Sequence, residues 1–315
     1  RMYENNMKQS VKKLNAADFT RLLEENLSPY VKNKIKEYNF QYTDVTGEER
    51  DSIIKKIIFT LLDPFLVYSG KHRLIQWEKG WGQNLKEYTS DKKQKSIIPR
   101  YFGKYPIVRI NQKWIKPVTK EFEYNMLGII LDWLFDIYVR AAENVYEFGC
   151  GTGHNLIRLR TINPDANLWG LDWSTSSQKI ITAYAKQHKE HKLFSHRFDY
   201  FSPDKKFKLK EDAVVFTVAS LEQIGDKHEK FIQYILIERP KLCIHIEPIS
   251  EVLDENNLLD YLSIEYFKKR KYLKGFLTRL RELEKEGKLT IHRAQRSYIG
   301  SFFIEGYSII VWSPK

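Results

Sequence analysis

Residues 144–156 read NVYEFGCGTGHNL, an apolar strand-like run, then Gly149, Gly151 and Gly153 at every second position, then the start of an apolar helix. Glycine has no Cβ, so it takes up left-handed turns and lets a ligand come close to the backbone. A strand-to-helix turn is also where free N–H groups and a helix N-terminus can face a ligand.

The same rhythm continues outward from this stretch. NLWGLDWS reads as a strand and SSQKIITAYAKQH as a helix. LFSHRFDYF carries a short strand. DAVVFTVASL, HEKFIQYILIER and LCIHIEPI follow as strand, helix and strand. A long helical region is expected over 256–286, then two closing strands in KLTIHRAQRS and GSFFIEGYSIIVWSP. Strands that are nearly continuous apolar runs, alternating with helices, predict a parallel sheet covered on both faces with a closing strand pair at one end.

The region before 145 reads differently. Residues 1–62 are expected to be helical, with Thr46 and Glu49 spaced as a capping box and Asp63-Pro64 ending the helix. Trp77, Gly80, Trp81 and Gly82 cluster after it. YFGKYPIVRINQKWIKP reads as a hairpin turning at Asn111-Gln112, and EFEYNMLGIILDWLFDIYVRAA as a long apolar helix. The expected division is a mainly helical N-terminal cap and substrate region over 1–120, and a ligand-binding α/β domain over 121–315.

With 315 residues, 42% of them hydrophobic, the chain can build a substantial core. No apolar run approaches the roughly 20 residues of a membrane span, and RMYENNMKQSVKKLNAADF holds no apolar signal core. Two cysteines, Cys150 and Cys243, make no disulfide framework and point to a reducing, cytoplasmic setting. The formal net charge of +12 suits an anionic partner, whether nucleic acid, a membrane surface or a small anionic substrate. Its densest clusters, DKKQK at 91–95 and KKRKYLK at 268–274, read as solvated basic surface.

A dinucleotide fingerprint G-x-G-x-x-G would need glycine at position 154, where His154 stands. The pattern here, Glu147-x-Gly149-x-Gly151-x-Gly153 with Asp172 closing the second strand, resembles motif I of class I S-adenosylmethionine-dependent methyltransferases, over residues 145–312. The resemblance implies an α/β fold with a Rossmann-like sheet whose last strand is antiparallel, S-adenosylmethionine as cofactor and S-adenosylhomocysteine as product. It implies that Asp172 accepts from a ribose diol, that Trp173 lies against adenine and that Asp199 accepts from the adenine amino group. The cofactor is therefore expected at Glu147, Gly149, Cys150, Gly151, Gly153, Asp172, Trp173, Asp199, Tyr200 and Ser220. Cys150 reads as a small side chain suited to the loop rather than as a catalytic thiol. His154 borders the cofactor carboxylate or opens the following helix.

Methyl transfer to a hydroxyl needs an aligned nucleophile and a group to take its proton. Glu222 follows the fourth strand. His245 and Glu247 share one face of the fifth, because strand side chains alternate. These three are the expected catalytic residues, as an acid/base cluster or as part of a divalent metal site. No H-x-x-H or C-x-x-C pair supports a metal, so metal use is left unknown. SLEQIG, HIEPI and EGYSIIVWSP look like bacterial sugar or glycan methyltransferases, which implies O-methylation of a saccharide or other small molecule. Two other readings stand beside this one: a nucleic-acid (RNA) methyltransferase, and a non-catalytic S-adenosylmethionine-binding partner protein.

Overall fold

The computed structural model describes residues 10–315. In the N-terminal part, β1 (Lys12–Lys13), α1 (Ala16–Leu23), α2 (Pro29–Glu37), β2 (Gln41–Asp44), α3 (Gly47–Leu62) and α4 (Leu74–Asp91) precede a hairpin of β3 (Val108–Ile110) and β4 (Lys113–Pro117). The capping box opens α3: the Thr46 hydroxyl accepts from Glu49 N, and the Glu49 carboxylate accepts from Thr46 N. The hairpin turns where expected, with Asn111 and Gln112 at φ 46° and 56°, the paired left-handed residues of a type I′ turn.

The helical expectation for 1–62 misses two strands, because β1 and β2 are too short to show a period of two. They form through pairing: β1 on β2, and β2 on β4. The sheet they build, β1-β2-β4-β3, is completed by β11 (Ile299–Gly300), far away in the chain. Residues 1–9 of the expected helical region lie outside the described residues.

After α5 (Phe122–Tyr138) the chain alternates through β5 (Asn144–Phe148), α6 (His154–Arg160), β6 (Asn167–Asp172), α7 (Thr175–His188), β7 (Leu193–Arg197), β8 (Val214–Val218), α8 (Glu229–Glu238) and β9 (Leu242–Glu247). The expected helical stretch over 256–286 is two helices, α9 (Leu258–Arg270) and α10 (Phe276–Lys285), broken where Lys271 and Gly275 take left-handed conformations. Strand β10 (Leu289–Gln295) and, after β11, β12 (Ser308–Pro314) close the sheet.

The seven strands run in the order β10-β12-β9-β8-β5-β6-β7. Strands β5 to β9 are mutually parallel, while β12 is antiparallel to both β9 and β10. This is a Rossmann-like α/β sheet with an antiparallel last strand, the arrangement that the motif resemblance implies. Chain order reverses on either side of β5, between β6 and β8, which is where open α/β sheets bind ligands at the carboxyl ends of their strands.

Apolar residues cover both faces of the sheet. One face packs Val145, Phe216, Ile244 and Ile246 against α5; the other packs Phe148, Val215 and Trp312 against α8 and α10. Helix α5 is apolar all round and buried accordingly. Its carboxylate Asp132, 1% exposed, receives two hydrogen bonds from Arg158 at 2.6 and 2.7 Å. Gly128 makes room for that guanidinium, since a Cβ there would lie 2.6 Å from it. Among the described residues, no helix is long and apolar enough to cross a membrane.

Candidate active site at the glycine loop

The loop after β5 is tied to the neighbouring strand, with Gly149 N and Cys150 N both donating to the Leu171 carbonyl at 2.7 and 3.0 Å. Gly149 sits at φ +68°, and a Cβ there would lie 2.4 Å from the Cβ of Ser220. Gly151 sits at φ +53° with the Trp81 indole 2.9 Å from where its Cβ would be. Both positions therefore combine a left-handed backbone with contact too close for any side chain. Gly153 caps α6.

Two carboxylates flank this loop. Asp172 accepts from Gly151 N at 2.9 Å and from Ser174 N at 2.8 Å. Burial pushes it up to about 6 against the pull of those two donors. Glu147 accepts from Asn155 at 2.7 Å through one oxygen. Its other oxygen is buried with no partner among the described residues, and burial, with repulsion from Asp172, pushes the group up to about 8. Glu147 thus keeps one buried oxygen unpartnered beside the glycine loop, a departure from the usual pairing of buried polar atoms.

Trp173 lies beside Asp172 and stacks on Phe201 at 6.0 Å between ring centroids. Asp199 accepts from Phe201 N at 2.9 Å and faces Lys71 at 4.0 Å. The Tyr200 hydroxyl is 2.9 Å from the Ser220 hydroxyl, which donates to the Phe148 carbonyl. Cys150 is buried 3.4 Å from the Ser177 hydroxyl, and burial raises its thiol well above the ordinary range, so it offers no thiolate. His154 opens α6 between the rings of Phe102 and Tyr124, and burial lowers it to about 3.

The three expected acceptor-side residues separate. His245 is fully buried on the core face of β9. Its Nδ1 pairs with the Thr217 hydroxyl at 2.9 Å and its Nε2 accepts from the Trp312 indole at 2.9 Å. Burial lowers it to about 3, so it is a neutral, satisfied core side chain that the structure does not bring to the site. Glu247 is also fully buried, and accepts from the backbone N–H groups of Ser220, Leu221 and Glu222, holding the turn after β8 in place. Alternation along β9 told which residues share a face but not what that face meets. Glu222 alone keeps partly accessible surface, and burial, then Glu247, pushes it up to about 8.

Around Glu222 the structure gathers groups that sequence reasoning had not selected. Tyr101 keeps 46% of its surface accessible, yet burial and then Glu222 and Glu123 raise its phenol beyond the ordinary range. Glu123 accepts from the Tyr307 hydroxyl at 2.8 Å and burial pushes it up to about 7. Among the described residues, no three His, Cys, Asp or Glu side chains come together in a way that would hold a metal ion.

The Trp77–Trp81 segment belongs to α4, and its two indoles stack at 5.3 Å over the glycine loop, with the Trp77 indole donating to Gln223 at 3.2 Å. Their i,i+4 spacing was the available signal for one helical face. Between them Glu78 reaches α7, accepting from Thr175 N at 2.8 Å, Ser176 N at 2.9 Å and the Ser174 hydroxyl at 2.7 Å. Burial alone would raise this carboxyl, but the donors together hold it below its ordinary range. Glu78→Ala is expected to cost about 1 kcal/mol, the scale of losing a helix cap, read as a lower urea midpoint with an unchanged slope.

Trp77, Trp81, Asp172, Trp173, Tyr200 and Ser220 line a cavity of about 60 Å³.

No family model matches the chain, and no curated protein matches it. Among solved structures it is similar to an O-methyltransferase of neocarzinostatin biosynthesis in complex with S-adenosylmethionine and 2-hydroxy-5-methyl naphthoic acid, at 14% identity over 76% of this chain and 69% of that one, with a TM-score of 0.43. It is similar to human N-acetylserotonin methyltransferase in complex with S-adenosylmethionine, at 12% identity over 85% and 67%, with a TM-score of 0.46. It is also similar to magnesium protoporphyrin IX methyltransferase from Synechocystis with bound S-adenosylmethionine, at 13% identity over 74% and 97%, with a TM-score of 0.45. At such identities and scores the likeness is one of fold and carries nothing about substrate.

Proposed function

We propose that this protein is an S-adenosylmethionine-dependent methyltransferase acting on an oxygen of a small-molecule acceptor, a saccharide in the first instance. The observation that carries the reading is the glycine loop at the switch point of a seven-stranded sheet ending in an antiparallel strand, flanked by Asp172 and the half-satisfied Glu147.

When bound, S-adenosylmethionine supplies an electrophilic methyl group on a sulfonium. Gly149, Gly151 and Gly153 provide positions without side chains, and between them Cys150 contributes its backbone while its small side chain packs beside Ser177. Asp172 and Glu147 supply acceptors, Trp173 an aromatic face, and Asp199, Tyr200 and Ser220 the polar rim. Glu222, pushed up to about 8, takes the proton from the acceptor hydroxyl, because a base with a value near the working pH holds a proton neither too tightly nor too loosely. Glu247 keeps Glu222 in place through the turn it binds. The N-terminal region, 1–120, acts as the acceptor cap, and Trp77 and Trp81 shield the reacting atoms from water. The free, buried cysteines fit a reducing, cytoplasmic setting.

Calorimetric titration with S-adenosylmethionine, S-adenosylhomocysteine and NAD tests this. The first two are expected to bind at micromolar concentration and NAD not at all; well-folded protein that ignores both adenosyl ligands sinks the reading. A nucleic-acid acceptor is the second reading, favoured by the net charge of +12. It requires RNA affinity that falls steeply with salt.

A further inference from the structure

Arg73 closes a single 3-10 turn before α4, and Arg270 closes α9. The two are brought together by a backbone bond, Ser69 N donating to the Arg270 carbonyl at 2.8 Å. Arg73 is only 7% exposed, and its Nε and Nη1 have no hydrogen-bond partner among the described residues. The Nε of Arg270 has none either, although its Nη1 donates to the Tyr266 hydroxyl at 2.8 Å. The hydroxyl of Ser69, a residue 6% exposed, is a fourth buried polar atom without a partner.

Aromatic rings hold both guanidinia. Arg73 lies over Trp77 at 5.7 Å, and Arg270 over Tyr266 and Tyr272 at 5.6 and 5.1 Å. A ring face attracts the cation but leaves its in-plane N–H donors open. Burial, then the charge of Arg270, holds Arg73 below its ordinary value. The carboxyl that bears on both arginines is Glu222, which burial and Glu247 push upward and which already accepts from the Gln223 amide at 2.9 Å. Two neighbouring guanidinia, each with buried N–H donors that no group among the described residues accepts, lack an anion. Ser69, Lys71 and Tyr272 line a cleft of about 750 Å³ whose rim also carries Lys227, Lys268 and Lys274, large enough for an acceptor longer than one sugar ring.

We propose that Arg73 and Arg270 bind an oxyanion carried by the methyl acceptor, a carboxylate or phosphate on the saccharide, and so place that acceptor beside Glu222. This rests on the methyltransferase reading above and names its substrate class: an acidic or phosphorylated sugar rather than a neutral one. The planar fork of arginine suits a two-point grip on such a group. The lysine rim steers the anion toward it.

The test is calorimetric titration of protein saturated with S-adenosylhomocysteine, using inorganic phosphate and glucuronate as probes and glucose as the neutral control. Wild type is expected to bind both anions saturably and not glucose. Arg73→Gln and Arg270→Gln are each expected to weaken anion binding about tenfold or more, while Arg100→Gln, at an exposed surface pair, leaves it unchanged. S-adenosylmethionine affinity should stay within about twofold in all three variants. Arg73→Gln removes an unpaired buried cation, so its thermal midpoint without anion should match or exceed that of wild type.

No saturable anion binding by protein that does bind S-adenosylmethionine overturns the proposal alone. So does anion binding that both arginine variants retain, which would assign it to the lysine rim. If Arg73→Gln instead loses S-adenosylmethionine affinity, the open donors serve the cofactor's own carboxylate and the acceptor assignment is wrong. Wild type that binds no S-adenosylmethionine at all is a separate failure, of the methyltransferase reading itself.

Discussion

Asp172→Ala is expected to lower affinity for S-adenosylmethionine by about 100-fold or more. A carboxylate accepting from a ribose diol makes hydrogen bonds worth roughly 1.5–3 kcal/mol each, and about 2.7 kcal/mol corresponds to 100-fold in affinity. The same carboxylate also organises the loop through Gly151 N and Ser174 N. Removing it leaves both donors without their acceptor at a cost of about 1–3 kcal/mol for each that stays buried and unpaired. Binding must therefore be compared on protein shown to be folded by circular dichroism. Because burial raises Asp172 to about 6, wild-type affinity should also weaken as pH falls below about 6 and the acceptor becomes protonated. Affinity unchanged in Asp172→Ala would remove Asp172 from the cofactor site.

Glu222→Gln is expected to lower kcat by about 100-fold or more with little change in S-adenosylmethionine affinity, the usual scale for losing a general base. The diagnostic is the pH profile. With Glu222 at about 8, wild-type kcat should rise through neutral pH and level off above about 8, and the variant should lose that rise. Wild type and variant with parallel profiles would mean that another group takes the proton. The same shift acts on stability. Glu147, Glu222, Glu247 and Glu123 are all raised by burial, so the folded state keeps protons that the unfolded chain releases near pH 4.5. Their contribution is fully present below that pH and is lost as pH rises through 7 to 8. Glu222→Gln should flatten part of this decline, read from urea midpoints between pH 5 and pH 9.

The three glycines, the acidic residue closing the second strand and the alternation of apolar strands with helices were all legible in the sequence, because each is a local regularity of the backbone. The capping box at Thr46 and the turn at Asn111-Gln112 were legible for the same reason, since a few adjacent residues satisfy one another. Strands β1, β2 and β11 were not, because two to four residues carry no readable period and exist only through their partners. Nor could the period of two along β9 say that His245 meets Trp312 and Thr217 in the core, or that Glu247 serves the backbone of residues 220–222. The meeting of Arg73 with Arg270 was beyond any local pattern, because one ends a turn before α4 and the other ends α9. The sequence by itself determined the glycine loop and the sheet that bears it, through local backbone preference and periodic burial. Only the tertiary structure decided which carboxylates are spent on the protein's own backbone N–H groups, which one keeps partly accessible surface, and which cations are left without an anion, because those outcomes depend on contacts between segments distant in the chain.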